Sequence, residues 1–388
     1  MSATLFDNIG QLVTNDPAGG SDALGILSSA AFVVEAGRVS WVGSAKSAPP
    51  CDSRVDVEGA AVIPGFVDSH SHPVFAGDRS EEFAARMRGE AYTGGGIRDT
   101  VARTRAASES QLQANFQRLV GEFHTQGITT FEAKSGYGLT TEDELRSLAI
   151  ASTGTDEVTF LGAHVVPPEF SGNTDGYVEL VASQMVPQAA QIAKWVDVFC
   201  DRGAFDVDQS RLVLTAGIEA GLKPRIHANQ LTRTDAVLLA VELDCASADH
   251  CTHLNEDDIT ALANSNTVAT LLPGAEFSTR SQYPDARRLI AAGATVAIAT
   301  DCNPGSSYTT SMAFCIALAV REMNLSPAEA LWAATAGGAK ALRRTDVGAL
   351  VAGSRADFNI LSAPSYVHFA YRPGVNLIAA TYSEGRKL

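Results

Sequence analysis

Short apolar runs recur along this chain from Val62 onward, and stretches with helical spacing of apolar positions separate them. Runs that short, bounded by polar or glycine-containing segments, predict buried strands, and their alternation with helices predicts βα units. Eight such strands are expected, over 62–68, 128–133, 158–163, 195–200, 224–227, 245–249, 267–272 and 295–300. Eight is the number that closes a (β/α)8 barrel. The first sixty residues carry another pattern: period-two alternation over 31–35 and 39–43, on either side of Gly37 and Arg38, predicts a hairpin. Glycines and alternating apolar residues over 347–361 predict a turn and strands returning to the same small sheet. The expected fold is α/β: a TIM barrel over 62–345, with a small β-sandwich domain built from 1–61 and 346–388.

In such barrels the chemistry sits at the C-terminal ends of the strands. His70 and His72 follow the first expected strand, Lys134 and Tyr137 the second, His164 the third, Asp201 the fourth, His227 the fifth, His250 the sixth and Asp301 the eighth. His253 lies close by, and His124 and His368 elsewhere. Two histidines one residue apart on a strand face the same side, so both imidazoles reach one metal ion. His70, His72, His227 and Asp301 together supply three nitrogens and a carboxylate and leave room for water, as a catalytic site does. One divalent ion is expected, Zn(II) or Fe(II). Such an ion lowers the pKa of its water to roughly 7, which makes hydrolysis the natural output. Asp301 can serve both as ligand and as acceptor of the water's proton. His250 and His164 are the nearest candidates to stabilise a carbonyl oxygen, and His250 reads equally as a group that orients water. A carboxylated Lys134 bridging two metals is disfavoured, because it follows the second strand and runs directly into SGYG (135–138).

With 388 residues, 45% hydrophobic and 19% charged, the composition is that of a soluble protein with a sizeable core. No apolar run approaches the roughly 20 residues that span a bilayer, and the start lacks a basic segment followed by an apolar one, so neither a membrane span nor a secretory signal is expected. A net charge of −15 argues against nucleic acid as a partner. Against that background Arg79, Arg86, Arg88, Arg98, Arg103 and Arg105 crowd into one segment after the histidine pair. Most read as a solvated face balanced by Glu81 and Glu82, while Arg79, seven residues past His72, is placed to face the site and an anionic substrate. Six cysteines without a CxxC pair suit a reducing cytosol, and Cys302 beside Asp301 reads as packing. The triplet Gly94, Gly95 and Gly96 lacks a following GKS or GKT, so a loop near the site mouth is preferred to a phosphate cradle.

PGFVDSHSH (64–72), the strand end TD (300–301) and GALVAGSRADFNI (348–360) resemble the amidohydrolase superfamily over nearly the whole chain. VFAGDR (74–79), TGGGI (93–97), KSGYGL (134–139), LGAH (161–164), SADH (247–250), LLPGA (271–275) and TDCNPGS (300–306) are similar to the branch that opens the imidazolone ring in histidine degradation. The resemblance implies hydrolysis of the cyclic-amide C–N bond of 4-imidazolone-5-propanoate to N-formimidoyl-L-glutamate, in a homodimer. It also implies that Arg79 and Tyr137 hold the propanoate, that His164 meets the ring, and that Asn303, Gly305 and Ser306 add polar contacts. One position departs: members of this branch often carry an acid three residues after the fifth-strand histidine, and here that residue is Gln230. An amide hydrogen-bonds but cannot act as a general acid. Proton delivery then falls to Asp301 and His250, or Gln230 need only hydrogen-bond the ring, or the substrate differs. The rivals are a deaminase or lactamase-like amidohydrolase acting on another cyclic amide, and a metal-free barrel kept as a binding partner.

Overall fold

The computed structural model describes residues 2–16, 18, 23–90 and 96–388. They fall into two compact units, Met1–Ser69 with Gly121–Thr130 and Ser311–Leu388, and His70–Val120 with Phe131–Thr310.

The termini build a mixed sheet. Its order is Arg386–Lys387, Ile378–Ser383, Phe358–Leu361, Ala61–Pro64, Thr4–Leu12, Leu27–Glu35 and Arg38–Ser44, with Ser53–Asp56 parallel to Thr4–Leu12. The expected hairpin is present, and its turn falls at Ala36 and Gly37, one residue earlier than anticipated, with Glu35 opposite Arg38. Both turn residues have left-handed φ, +51° and +77°, the geometry that matches the twist of the flanking strands. Alternation turns Phe6, Phe32 and Phe358 inward: Phe6 stacks on Phe32 at 5.0 Å and meets Phe358 edge-on at 4.8 Å. Of the segment 347–361, only Phe358–Leu361 is a strand, antiparallel to Ala61–Pro64. The residues before it turn at Gly348 and Gly353, both at positive φ, and Asn15 Nδ2 donates to Gly348 O at 2.7 Å.

The other sheet is the barrel. Its strands are Phe66–Asp68, Ile128–Lys134, Glu157–Ala163, Trp195–Cys200, Ile226–Ala228, Ser247–His250, Val268–Leu271 and Val296–Ile298, neighbours in that order, and a two-residue strand Lys223–Pro224 lies beside Trp195 and Val196. The strands are buried along their whole length, as parallel strands covered on both faces must be, which is why they read as apolar runs without alternation. The ends of the sheet meet through a parallel bridge of Ser71 with Cys302, where Asp301 N donates to His70 O at 3.0 Å and His72 N to Cys302 O at 2.9 Å. The backbone that closes the circle is the backbone that carries His70, His72 and Asp301.

The apolar run expected as one strand over 62–68 is two strands serving two sheets. The change occurs at Gly65, whose N–H donates to Asp357 O, while that of Phe66 donates to Gly127 O. A Cβ at position 65 would collide with the Thr129 side chain, so only glycine permits the crossing. Residues beyond 311 group with the termini because helix Met312–Glu322 packs on helix His368–Tyr371 and Ala339, Leu342 and Val347 form an apolar cluster with Val67. The aromatic centre of the mixed sheet should be its stability determinant. Phe6→Ala is expected to lower the unfolding free energy by about 3–5 kcal/mol, measured by urea denaturation.

Candidate active site

The strand ends bring together the histidines that the sequence marked. Nε2 of His70 and of His72 lie 3.2 Å apart, and Nε2 of His227 lies 3.3 Å from that of His72. The three residues offer ligand atoms all within 4.8 Å of one another. Asp301 Oδ1 is 3.5 Å from His70 Nε2 and 3.6 Å from His72 Nε2, beside two of the three nitrogens. His250 flanks it, its ring 5.7 Å from that of His70 and 5.5 Å from that of His227. His250 and Asp301 both have positive φ, +76° and +51°. Non-glycine residues rarely adopt that conformation, and where they do the surrounding structure holds them for a purpose.

Behind the histidines stands a row of buried acids that the sequence reading missed. Asp249 Oδ2 is 2.7 Å from His70 Nδ1. A carboxylate only accepts, so the proton is on Nδ1 and the lone pair of Nε2 faces the centre. Asp197 Oδ2 lies 3.0 Å from His227 Nδ1. That contact lacks the alignment of a hydrogen bond, and its effect is electrostatic. Burial opposes ionisation of both acids, but His227 and Lys134 overcome it for Asp197, and Arg225 and Lys134 for Asp249, which holds both below the usual carboxylate range. Lys134 Nζ is 2.7 Å from Glu132 Oε1, 2.7 Å from Asp197 Oδ2 and 3.7 Å from Asp249 Oδ2. An ammonium so surrounded is an ion-pair centre, which removes the reading of Lys134 as a carboxylated bridge between two metals. Three carboxylates with Lys134 and Arg225 leave one net negative charge, wholly buried beneath the nitrogens. Burial keeps the imidazoles of His70 and His72 neutral, the form that ligates. Neutral nitrogens converging over buried negative charge fit a divalent cation.

Arg79 is buried, and so is Arg86, while Arg88, Arg98 and Arg103 are exposed. Arg79 Nε and Nη2 each donate to Glu82 at 2.8 Å, and Arg86 Nη2 donates to Gly305 O at 2.7 Å. A Cβ on Gly305 or Gly96 would strike the Arg79 guanidinium, so these glycines are the walls of its slot. The rest of the glycine triplet, with Thr93, lies outside the described residues. Tyr137 is buried, its ring 5.4 Å from that of His164. Its loop is held by the Glu144 carboxylate, which accepts from the N–H groups of Gly136, Gly138 and Leu139. His164 Nδ1 lies 2.9 Å from Gly136 O and must donate to it, which leaves Nε2 as an acceptor. Burial first, then His227, lowers the His164 pKa to about 3, so the ring is neutral.

After the eighth strand, Asn303 Oδ1 accepts from Gly305 N and Ser306 N, and its Nδ2 donates to Asp301 O and Ser306 Oγ. With donors and acceptors all engaged, Asn303 acts through the loop it shapes. Ser306 Oγ reaches Asp301 Oδ2 at 3.2 Å. Gln230 is half-buried. Asp201, a strand-end acid in the sequence, is a structural group that accepts from Leu231 N, Thr232 N and Thr232 Oγ1. Glu276 is a buried carboxyl that no sequence motif flagged, although it directly follows LLPGA.

Known proteins place this geometry in context. The amidohydrolase family model matches residues 217–387. The chain is 63% identical to an imidazolonepropionase of Mycolicibacterium smegmatis over 99% of this chain and 97% of that protein. It is 62% identical to one of Streptomyces coelicolor over 99% and 98%. Among solved structures, a zinc-bound adenosine deaminase from Xanthomonas campestris shares the fold at 18% identity, with a TM-score of 0.74 over 99% of this chain and 92% of that one. A zinc-complexed atrazine chlorohydrolase from Arthrobacter aurescens does so at 16%, with a TM-score of 0.72 over 99% and 95%. If Asp249 sets the His70 lone pair, Asp249→Asn should weaken zinc binding about 10- to 100-fold in a chelator competition, with the circular dichroism spectrum unchanged.

Proposed function

Because the chain belongs to the imidazolonepropionases, amidohydrolases that open 4-imidazolone-5-propanoate to N-formimidoyl-L-glutamate in histidine degradation, we propose that His70, His72, His227 and Asp301 hold one divalent ion, Zn(II) or Fe(II), and that the ring is opened beside it. The observation that carries this is the convergence of three histidine nitrogens and the Asp301 carboxylate at the barrel rim. When bound there, the ion supplies Lewis acidity toward the ring carbonyl and toward water.

The protein's own groups do the rest. Asp301, its Oδ2 steadied by the Ser306 hydroxyl, accepts a proton from the attacking water. The water oxygen bonds to the ring carbonyl carbon, and the imidazole of His250 stabilises the oxygen on which charge develops. His164 Nε2 accepts from a ring N–H, and the Gln230 amide hydrogen-bonds the ring edge. The propanoate is forked by Arg79, with the Tyr137 phenol beside it. Glu82 takes Nε and Nη2 of Arg79, so the Nη1 edge, directed at Gly305, is the one offered to the substrate. Gly305 and Ser306 line that approach. A homodimer and a cytosolic location belong to the same reading, and six cysteines outside any disulfide suit the last.

Arg79→Met separates this substrate from other cyclic amides. Loss of a charge-assisted contact of about 2 kcal/mol should lower kcat/KM for 4-imidazolone-5-propanoate about 30-fold, chiefly through KM, in a steady-state absorbance assay. An unchanged kcat/KM would mean that the substrate tail is not read by Arg79.

A further inference from the structure

Glu276 lies on helix Pro273–Thr279, directly after the seventh barrel strand, and is 2% exposed. Its Oε1 accepts the Thr252 hydroxyl at 2.8 Å, and its Oε2 is buried with no hydrogen-bond partner. No arginine, lysine or histidine pairs with it among the described residues. Thr252 is two residues beyond His250. The helix start is pressed on the loop after the eighth strand: Leu272 and Ala275 cluster with Ala299, and a Cβ on Gly274 would collide with the Ser307 hydroxyl. The helix therefore carries the carboxyl between the loops of His250 and Asp301. A buried carboxylate with one hydrogen bond and no cation is costly, so Glu276 is held as the neutral acid.

Ring opening needs such a group. The departing ring nitrogen must gain a proton, and Gln230, on the rim three residues after His227, has none to give. We propose that Glu276 is the general acid of the reaction, delivering the proton from Oε2 to the ring nitrogen as the carbon–nitrogen bond breaks. Water forms the new bond to the carbonyl carbon and loses one proton to Asp301. The C–N bond electrons leave on nitrogen, which takes the proton of Glu276, and the proton on Asp301 then restores Glu276. The second water proton is released as the new carboxyl group ionises and is taken up by the basic formimidoyl group. This rests on the site reading above, because it requires the ring to sit between Asp301 and Glu276.

The Thr252 hydroxyl meets Glu276 directly, and a charge on Glu276 would be felt by the Cys251 thiol and by Asp301. Helix Ser80–Met87, packed on the Glu276 helix, adds Glu81, Glu82 and Arg86, of which Glu82 is engaged with Arg79 and Arg86 with Gly305 O. Burial raises the Glu276 pKa to about 8, so kcat should fall as pH rises through that value and the acid is lost. In metal-loaded Glu276→Gln, kcat should drop about 100-fold with KM and metal content unchanged, and the alkaline fall should vanish. Thr252→Val removes the hydrogen bond that favours the carboxylate, and should move the fall upward by up to about one pH unit. Infrared spectroscopy of the same proteins without substrate should show a protonated-carboxyl band near neutral pH that Glu276→Gln abolishes. Wild-type kcat in Glu276→Gln, a lowered kcat that keeps the same alkaline fall, or no shift in Thr252→Val would overturn the assignment. Failure of the wild-type protein to turn over at all, with the infrared band present, would instead indict the site reading.

Discussion

The site depends on the buried ion cluster of Lys134 and Arg225 with Glu132, Asp197 and Asp249. Each of these groups is removed from water, and desolvating an ion costs several kcal/mol unless partners surround it. Lys134 meets two carboxylates at 2.7 Å and a third at 3.7 Å, and Arg225 stands 3.6 Å from two of them. Loss of either cation would leave buried carboxylates without a partner, so Lys134 and Arg225 hold the three acids in place together. Its orientation dictates what lies above it. Asp249 fixes the proton on His70, Asp197 draws on His227, and the remaining negative charge favours a cation where the Nε2 atoms meet.

The same economy of position governs the rim. Closure of the barrel through Ser71 and Cys302 sets His70, His72 and Asp301 side by side without help from a flexible loop. Positive φ at His250 and Asp301 turns both side chains at the ends of their strands. Asn303 saturates its amide within the following loop and so fixes Gly305, which with Gly96 leaves a slot only as wide as a guanidinium. Arg79 is thereby tied through one short loop to the Asp301 carboxylate.

Much of this was legible in the sequence, because parallel strands buried on both faces are unbroken apolar runs and polar residues at their ends stand out. His70, His72, His227 and Asp301 were readable for that reason, and Arg79 because it departs from the acidic balance of the chain. The sheet change at Gly65 was not, since the two strands it joins form one apolar run and the need for glycine arises only where Thr129 approaches. Asp197 and Glu132 did leave a signal, as acids inside apolar strands, but their meaning depends on a lysine and an arginine from other strands. Asp249 was hidden beside His250. Glu276 carries no motif, and only its burial without a cation distinguishes it from the surface acids that dominate this chain.

The central claim is that one ion is held by three histidines and Asp301 above this charge cluster. Anomalous diffraction from crystals of the metal-loaded protein, collected at the zinc and iron edges, tests it most directly. The account predicts a single peak about 2.0–2.2 Å from Nε2 of His70, His72 and His227 and from a carboxylate oxygen of Asp301. A second peak at Lys134, or a single peak that leaves out His227 or Asp301, would contradict it.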